Sequence, residues 1–514
     1  MPTMPKRRIL PPHFLALLAL CLLAPPLTAQ SDKSLQLLQR RYDDISVAFQ
    51  RSMEEVAIEC EANSSQTDAQ HVRARSAPAE LQTLDIDELP EAIQGDLPPA
   101  LPPDQAWRVK LRKLELDYAI ALYKLSRDAL NVGHVSFAFD LVREVAFHDP
   151  DHKYARSLLG YKLVDGKWTT PFAARQEAAG KVYHTRYGWI PKLHKDKYEE
   201  GLRNVNGKWV SQEREASLRN DFKYAWEVES EHFHVKTNHS LEAGVQISEK
   251  LERFHQYFIR EFAAFFNTPS QMRALFDTGQ TSAQTRNPYD VNYFRERREY
   301  VQYLIASNPS IAISNGLYDP QSRVANFFFD PQLEGNFDAM YHEVTHQLLL
   351  ESSSKVRAVG ESAHFWVVEG FPCYLESFVE SSEGPKVGNP GHPRFTLAQL
   401  NLARDNEYYE FRSFCSQGQK QFHQGGNAEI LQKFYSQAAC MVHFYLNYED
   451  GLYRDALITH LSEIYSANNT VRAKAQGMDR LTGVSYEVLQ QQYREYLSSI
   501  TPPEVLAAAS AEKK

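Results

Sequence analysis

Past its first thirty residues the chain has no apolar run long enough to cross a membrane, which excludes a helical span of about 20 residues. It also has no surplus of basic side chains: 56 Lys and Arg face 65 Asp and Glu, a formal net charge of −9. Nucleic acid and anionic membrane surfaces both require concentrated Lys and Arg, so neither is expected as the main partner. Cysteine is scarce, with five in 514 residues. Without Cys21 the remainder are Cys60, Cys373, Cys415 and Cys440, and four cysteines allow three pairings that sequence cannot choose between. Cys373 and Cys440 lie in apolar helical stretches, where buried free thiols are as good a reading as disulfides. What is present is ordinary for a globular protein, 43% hydrophobic and 24% charged, with enough length for two to four domains and a large core.

The N-terminus reads as a leader over residues 1–29. Lys6, Arg7 and Arg8 are followed by a short apolar run from Phe14 to Ala24, and Leu27-Thr28-Ala29 offers a cleavage site before Gln30. Leu20 before Cys21 argues against lipidation at that cysteine. The leader implies export to a periplasmic or extracellular space. Losing its three basic residues would take the net charge from −9 to −12.

Residues 30–65 repeat Leu35, Leu38, Tyr42, Ile45, Phe49 and Met53 at helical spacing. Residues 66–105 are rich in Pro, Ala and acid and read as a linker. Residues 106–224 form a module that could dock a protein partner. Its first part carries helices from Trp107 to Ala129 and Val135 to Phe147, resembling a tetratricopeptide-type pair, with a third beginning at Tyr154. Its second part holds a small repeat: Val164-Asp165-Gly166-Lys167-Trp168 matches Val205-Asn206-Gly207-Lys208-Trp209. Asp-Gly and Asn-Gly mark hairpin turns, so two hairpin–helix units are predicted, packed by Trp168 and Trp209 and capped by Thr170 and Ser211.

Residues 225–500 form the presumed catalytic domain, and 501–514 a tail. Trp226 to Thr237 reads as a strand with Phe233, Val235 and Thr237 on one face. His232 and His234 share the other, as a polar face or a metal pair. Ser240 is a predicted cap for a long amphipathic helix. Residues 267–299 read as irregular, and Tyr300 to Ala306 and Val324 to Asp330 as strands.

The chemistry lies in Met340-Tyr341-His342-Glu343-Val344-Thr345-His346-Gln347. Positions i and i+4 share a helix face, so His342 and His346 can point at one Zn²⁺, with Glu343 beside it to take a proton from water. Asn336 or Asp338 is a plausible cap. Catalytic zinc needs a third protein ligand. Glu369, 23 residues after His346 in Trp366-Val367-Val368-Glu369-Gly370-Phe371-Pro372-Cys373-Tyr374-Leu375-Glu376, is chosen over Glu361, which precedes that helix in a loop or cap. Glu376, seven residues on, is either an outer partner holding a ligand histidine or a surface glutamate.

H-E-x-x-H followed by W-x-x-E-G-F-x-x-Y-x-E resembles the gluzincin zinc metallopeptidases, most nearly the aminopeptidase N and leukotriene A4 hydrolase group and its small peptidase MA-like relatives. The likeness covers roughly half the chain. It implies an α+β, zincin-like domain: a small sheet carrying the zinc helix, then a helical C-terminal half. It further implies that an edge strand pairs with extended substrate, for which 324–330 is the candidate. By position Tyr435 matches the tyrosine that donates to the oxyanion, although it could be a packing residue, and His443 is the alternative donor. The group's G-x-M-E-N segment is absent. Gly335-Asn336-Phe337-Asp338-Ala339-Met340 lacks the Glu-Asn, so strict aminopeptidase activity is not expected. The implied activity is hydrolysis of peptide or protein substrates. The rival reading is a weak or inactive peptidase-like scaffold that binds a protein partner.

Overall fold

The computed structural model describes residues 27–63, 65–76, 101–102, 105–279, 288–333, 337–352, 359–381, 384–423 and 428–512. Most of the expected leader, and the Pro-rich segment 77–100, lie outside the described residues. The protein is α+β, mostly helical with small sheets. No helix among the described residues is long and apolar enough to cross a membrane.

Four helices, Leu27–Asn63, Gln66–Ser76, Trp107–Asn131 and Val135–His148, bury Met53, Ala57, Leu122 and Leu141 in one core. The second of these corrects the linker expectation. Its Ala69 and Val72 are fully buried, and Arg75 meets the buried Glu115, Nε to Oε1 at 2.8 Å. The Pro and Ala bias that suggested a linker begins only after Ser76.

Three hairpins follow where two are predicted: Lys162–Val164 with Lys167–Thr169, Lys181–His184 with Gly188–Pro191, and Leu202–Val205 with Lys208–Ser211. The outer two turn at Asp165-Gly166 and Asn206-Gly207, all four residues at positive φ, as such turns require. The middle one turns through Thr185-Arg186-Tyr187 and so lacks the two-residue signal. Thr170 and Ser211 accept from Ala173 N and Arg214 N and cap the helices after the outer hairpins. Trp209 is not enclosed by its hairpin; it stays 38% exposed beside His194 and Tyr198.

The principal sheet has five strands in the order Gly316–Asp319, Val324–Phe328, Tyr289–Phe294, Phe233–Thr237, Trp226–Glu229. The central three are parallel and both outer pairs antiparallel. Three expectations are corrected here. The segment 226–237 is two strands, not one. The central strand Tyr289–Phe294, with Tyr289 and Val291 buried, lies where irregular chain is expected, and a helix Pro269–Thr278 precedes it. Residues Arg297–Leu304 are a helix, since Tyr300 and Leu304 one turn apart fill a pocket with Phe294 and Ile311. A fourth correction bears on function: Val324–Phe328 is interior to the sheet, and the edge on its side is Gly316–Asp319.

Ser240 Oγ accepts from Ala243 N and starts the helix Leu241–Glu261. This helix and Asp338–Glu351 cover the same face of the sheet and meet where the rings of Phe254 and Tyr341 lie 4.8 Å apart. The helices of the C-terminal half continue that core. A buried ion cluster joins the N-terminal helices to it. Arg143, paired with Asp140, donates to Glu261 at 2.6 Å, and Arg454 lies 3.5 Å from Asp140.

Candidate metal centre

The helix Asp338–Glu351 presses Val344 and Leu348 into the core. Its opposite stripe carries His342 and His346, each only half-buried. Asn336 lies outside the described residues. Phe337 occupies the cap position without a side-chain bond, and Asp338 opens the helix with its carboxylate 3.3 Å from His392 Nε2.

The helix Phe365–Leu375 crosses beside it and contributes Glu369. His342 Nε2 and His346 Nε2 lie 3.2 Å apart, and Glu369 Oε2 is 3.6 and 3.7 Å from them. A tetrahedral ion with bonds of about 2.0–2.2 Å sets its ligands roughly 3.3–3.6 Å apart. The triangle of donors therefore fits a zinc-sized ion. Electrostatics agree with the geometry. Burial raises the Glu369 carboxyl, but hydrogen bonding to His342 and His346 outweighs it and holds the group far below the carboxylate range. Burial likewise opposes charge on His342, but bonds to Cys373, Glu369 and Glu376 hold it well above the imidazole range. Glu369 thus stays ionised beside the two rings, and a metal ion at this point would take the place of the proton that the carboxylates hold on His342. Glu361 is exposed ahead of the helix and belongs to no such cluster among the described residues.

Glu376 is 4% exposed and accepts from His342 Nδ1–H at 2.7 Å. In the neutral ring that bond puts the proton on Nδ1 and leaves the lone pair on Nε2, the nitrogen facing the triangle. Cys373 Sγ lies 3.9 Å from the same Nδ1. Glu343 Oε2 accepts from Tyr318 N at 2.7 Å, so the edge strand holds this carboxylate. Gly316 makes the approach possible: a Cβ there would lie 2.9 Å from Glu343 Cγ. The buried phenol of Tyr300 is pushed up to about 12, by burial above all, with the Glu343 charge adding.

Tyr435 rises from the helix Ala428–Asn447. Its phenol is held well above its usual range by burial first and by the charge of Glu369 next, which keeps it protonated as a donor. His443 is engaged elsewhere, with Nε2 to Gly388 O at 2.7 Å and Nδ1 to Tyr496 Oη at 2.8 Å. Of the two readings of His232 and His234, the structure favours the polar face over the metal pair. His232 bonds Glu252 at 2.7 Å and stacks on His255, while His234 bonds Asp290 at 2.9 Å. Cys60, Cys373, Cys415 and Cys440 are separate buried thiols.

Sequence reasoning passes over Arg394, Tyr318, Gly316 and Tyr300. None stands in a motif, and each reaches the site through the tertiary fold. Compared with known proteins, the chain matches no family model and no curated protein.

Proposed function

We propose that the protein is an exported zinc peptidase of the gluzincin type, built on a zincin-like domain. The observation that supports this best is the triangle of His342, His346 and Glu369 with Glu343 held beside it. Zinc held by these three residues would polarise a peptide carbonyl and acidify water. Glu343 accepts the proton of the attacking water at Oε1, because Oε2 is engaged with Tyr318 N. It then returns that proton to the leaving amine. Tyr435 donates its phenol proton in a hydrogen bond to the oxygen that gains charge. Glu376 keeps Nδ1 of His342 protonated. Gly316–Asp319, at one edge of the sheet, would align an extended chain by backbone pairing. With no G-x-M-E-N segment to hold a free amino terminus, the expected substrate is a peptide or protein cut internally.

The test is metal content and proteolysis together. The purified protein should carry one zinc, and His346→Ala should lose it. Wild type should cleave unfolded casein and stop when a chelator is added. Equal zinc in both proteins would remove the ligand assignment. Bound zinc with no cleavage of casein or of a peptide library would favour the scaffold reading.

A further inference from the structure

Arg394 stands in the first turn of the helix Pro393–Asp405, outside the segments that supply donor atoms. Its guanidinium grips Glu376 with two prongs, Nε to Oε2 at 2.7 Å and Nη2 to Oε1 at 2.8 Å. The same Oε1 takes the Nδ1–H of His342. A continuous line thus runs from Arg394 through Glu376 to the ring whose Nε2 faces Glu369 and His346.

The surrounding segment touches the other two elements of the site. Arg394 lies 6.0 Å from the ring centre of Tyr435, and its carbonyl accepts from the hydroxyl of Ser436 at 2.7 Å. That hydroxyl oxygen accepts in turn from Ala398 N at 3.0 Å. His392, two residues before Arg394, reaches Asp338 at the start of the H-E-x-x-H helix. One short stretch therefore contacts the H-E-x-x-H helix, the Glu369 helix through Glu376, and the Tyr435 helix.

A carboxylate turns easily about its last bond. A single histidine leaves that rotation open, whereas a guanidinium fork matches both oxygens and fixes the plane. Lysine supplies the charge without the fork.

We infer that Arg394 is a positioning residue that acts through Glu376 to aim His342 at the metal. This rests on the zinc-centre reading above. The experiment is zinc affinity by chelator competition for wild type, R394M, R394K, E376Q and R394M/E376Q, with H346A as the control. The visible spectrum of each cobalt-loaded protein is recorded alongside. R394M should bind zinc about 10- to 100-fold more weakly, the usual effect of removing an outer partner. R394K should fall between, the cobalt bands should shift in both, and the double variant should bind no worse than E376Q. Wild-type affinity and an unshifted cobalt spectrum in R394M would overturn the inference, as would losses that multiply in the double variant. If R394M does not fold, R394K decides: weaker binding with shifted bands supports the inference, and wild-type behaviour overturns it. If H346A binds zinc as tightly as wild type, the zinc centre itself falls. If only H346A loses zinc, the centre stands and the role of Arg394 falls.

Discussion

Glu343 owes its place to two residues outside its own helix. The amide of Tyr318 takes one carboxylate oxygen, and the missing side chain of Gly316 leaves room for its stem. An amide at position 343 could still accept from Tyr318 N, so the fold and the donor triangle should survive Glu343→Gln. It could not take a proton from water. The expected result is unchanged zinc content with hydrolysis lowered about 10²- to 10⁴-fold, the range for losing a general base. Undiminished turnover would exclude Glu343 from the reaction. At this scale the sequence was partly legible. The spacing of His342, Glu343 and His346 is a local helical fact, and Glu376 shares its helix face with Glu369 by arithmetic alone. The partners of Glu343 were not legible, because nothing local links positions 316 and 318 to position 343.

Among the elements, the Glu369 and Tyr435 helices pack backbone against backbone. A Cβ on Gly370 would lie 2.7 Å from the backbone oxygen of Ala438, and a backbone atom cannot swing aside. Gly370→Ala should therefore push the two helices apart and destabilise the protein by about 1–3 kcal/mol, as overpacking does. Gly391→Ala is the control, since its Cβ would meet only Asn389 Oδ1, at 3.5 Å. Urea midpoints measure both, and equal midpoints for Gly370→Ala and wild type would refute the close contact. Elements with strong periodicity or caps were readable in advance, such as the helix that begins at Ser240. The strand Tyr289–Phe294 was missed although Tyr289, Val291 and Tyr293 alternate with Asp290 and Asn292, because the alternation is short and follows a polar stretch. Nor could strand order be read from sequence. Which of Gly316–Asp319 and Val324–Phe328 forms the edge depends on what pairs with each.

At the scale of the whole molecule, acid stability should carry the mark of a buried base. His460 is fully buried beside His364 and Trp366, and burial above all lowers it to about 3. In the unfolded chain it protonates near its ordinary value of about 6.5. Between these two values the unfolded state holds the extra proton, so stability rises with pH. The contribution is fully present above about 6.5 and is lost as pH falls toward 3, by up to about 1.4 kcal/mol per pH unit. His460→Gln should show a smaller drop in urea midpoint from pH 7.5 to pH 5 than wild type does. An identical drop would show that His460 does not govern that limb.

By itself the sequence determined what depends on neighbours a few positions apart: the shared face of His342 and His346, the capped helices, the Asp-Gly and Asn-Gly turns, and the balance of charge. Only the tertiary structure decided which residues complete the site. Arg394 grips Glu376, Tyr318 holds Glu343, and His443 is committed to Gly388 and Tyr496. The physical reason is that helical and turn preferences act over a few residues. Pairing of buried polar groups is settled instead by which helices and strands the core brings together, and burial then requires that each group find a partner there.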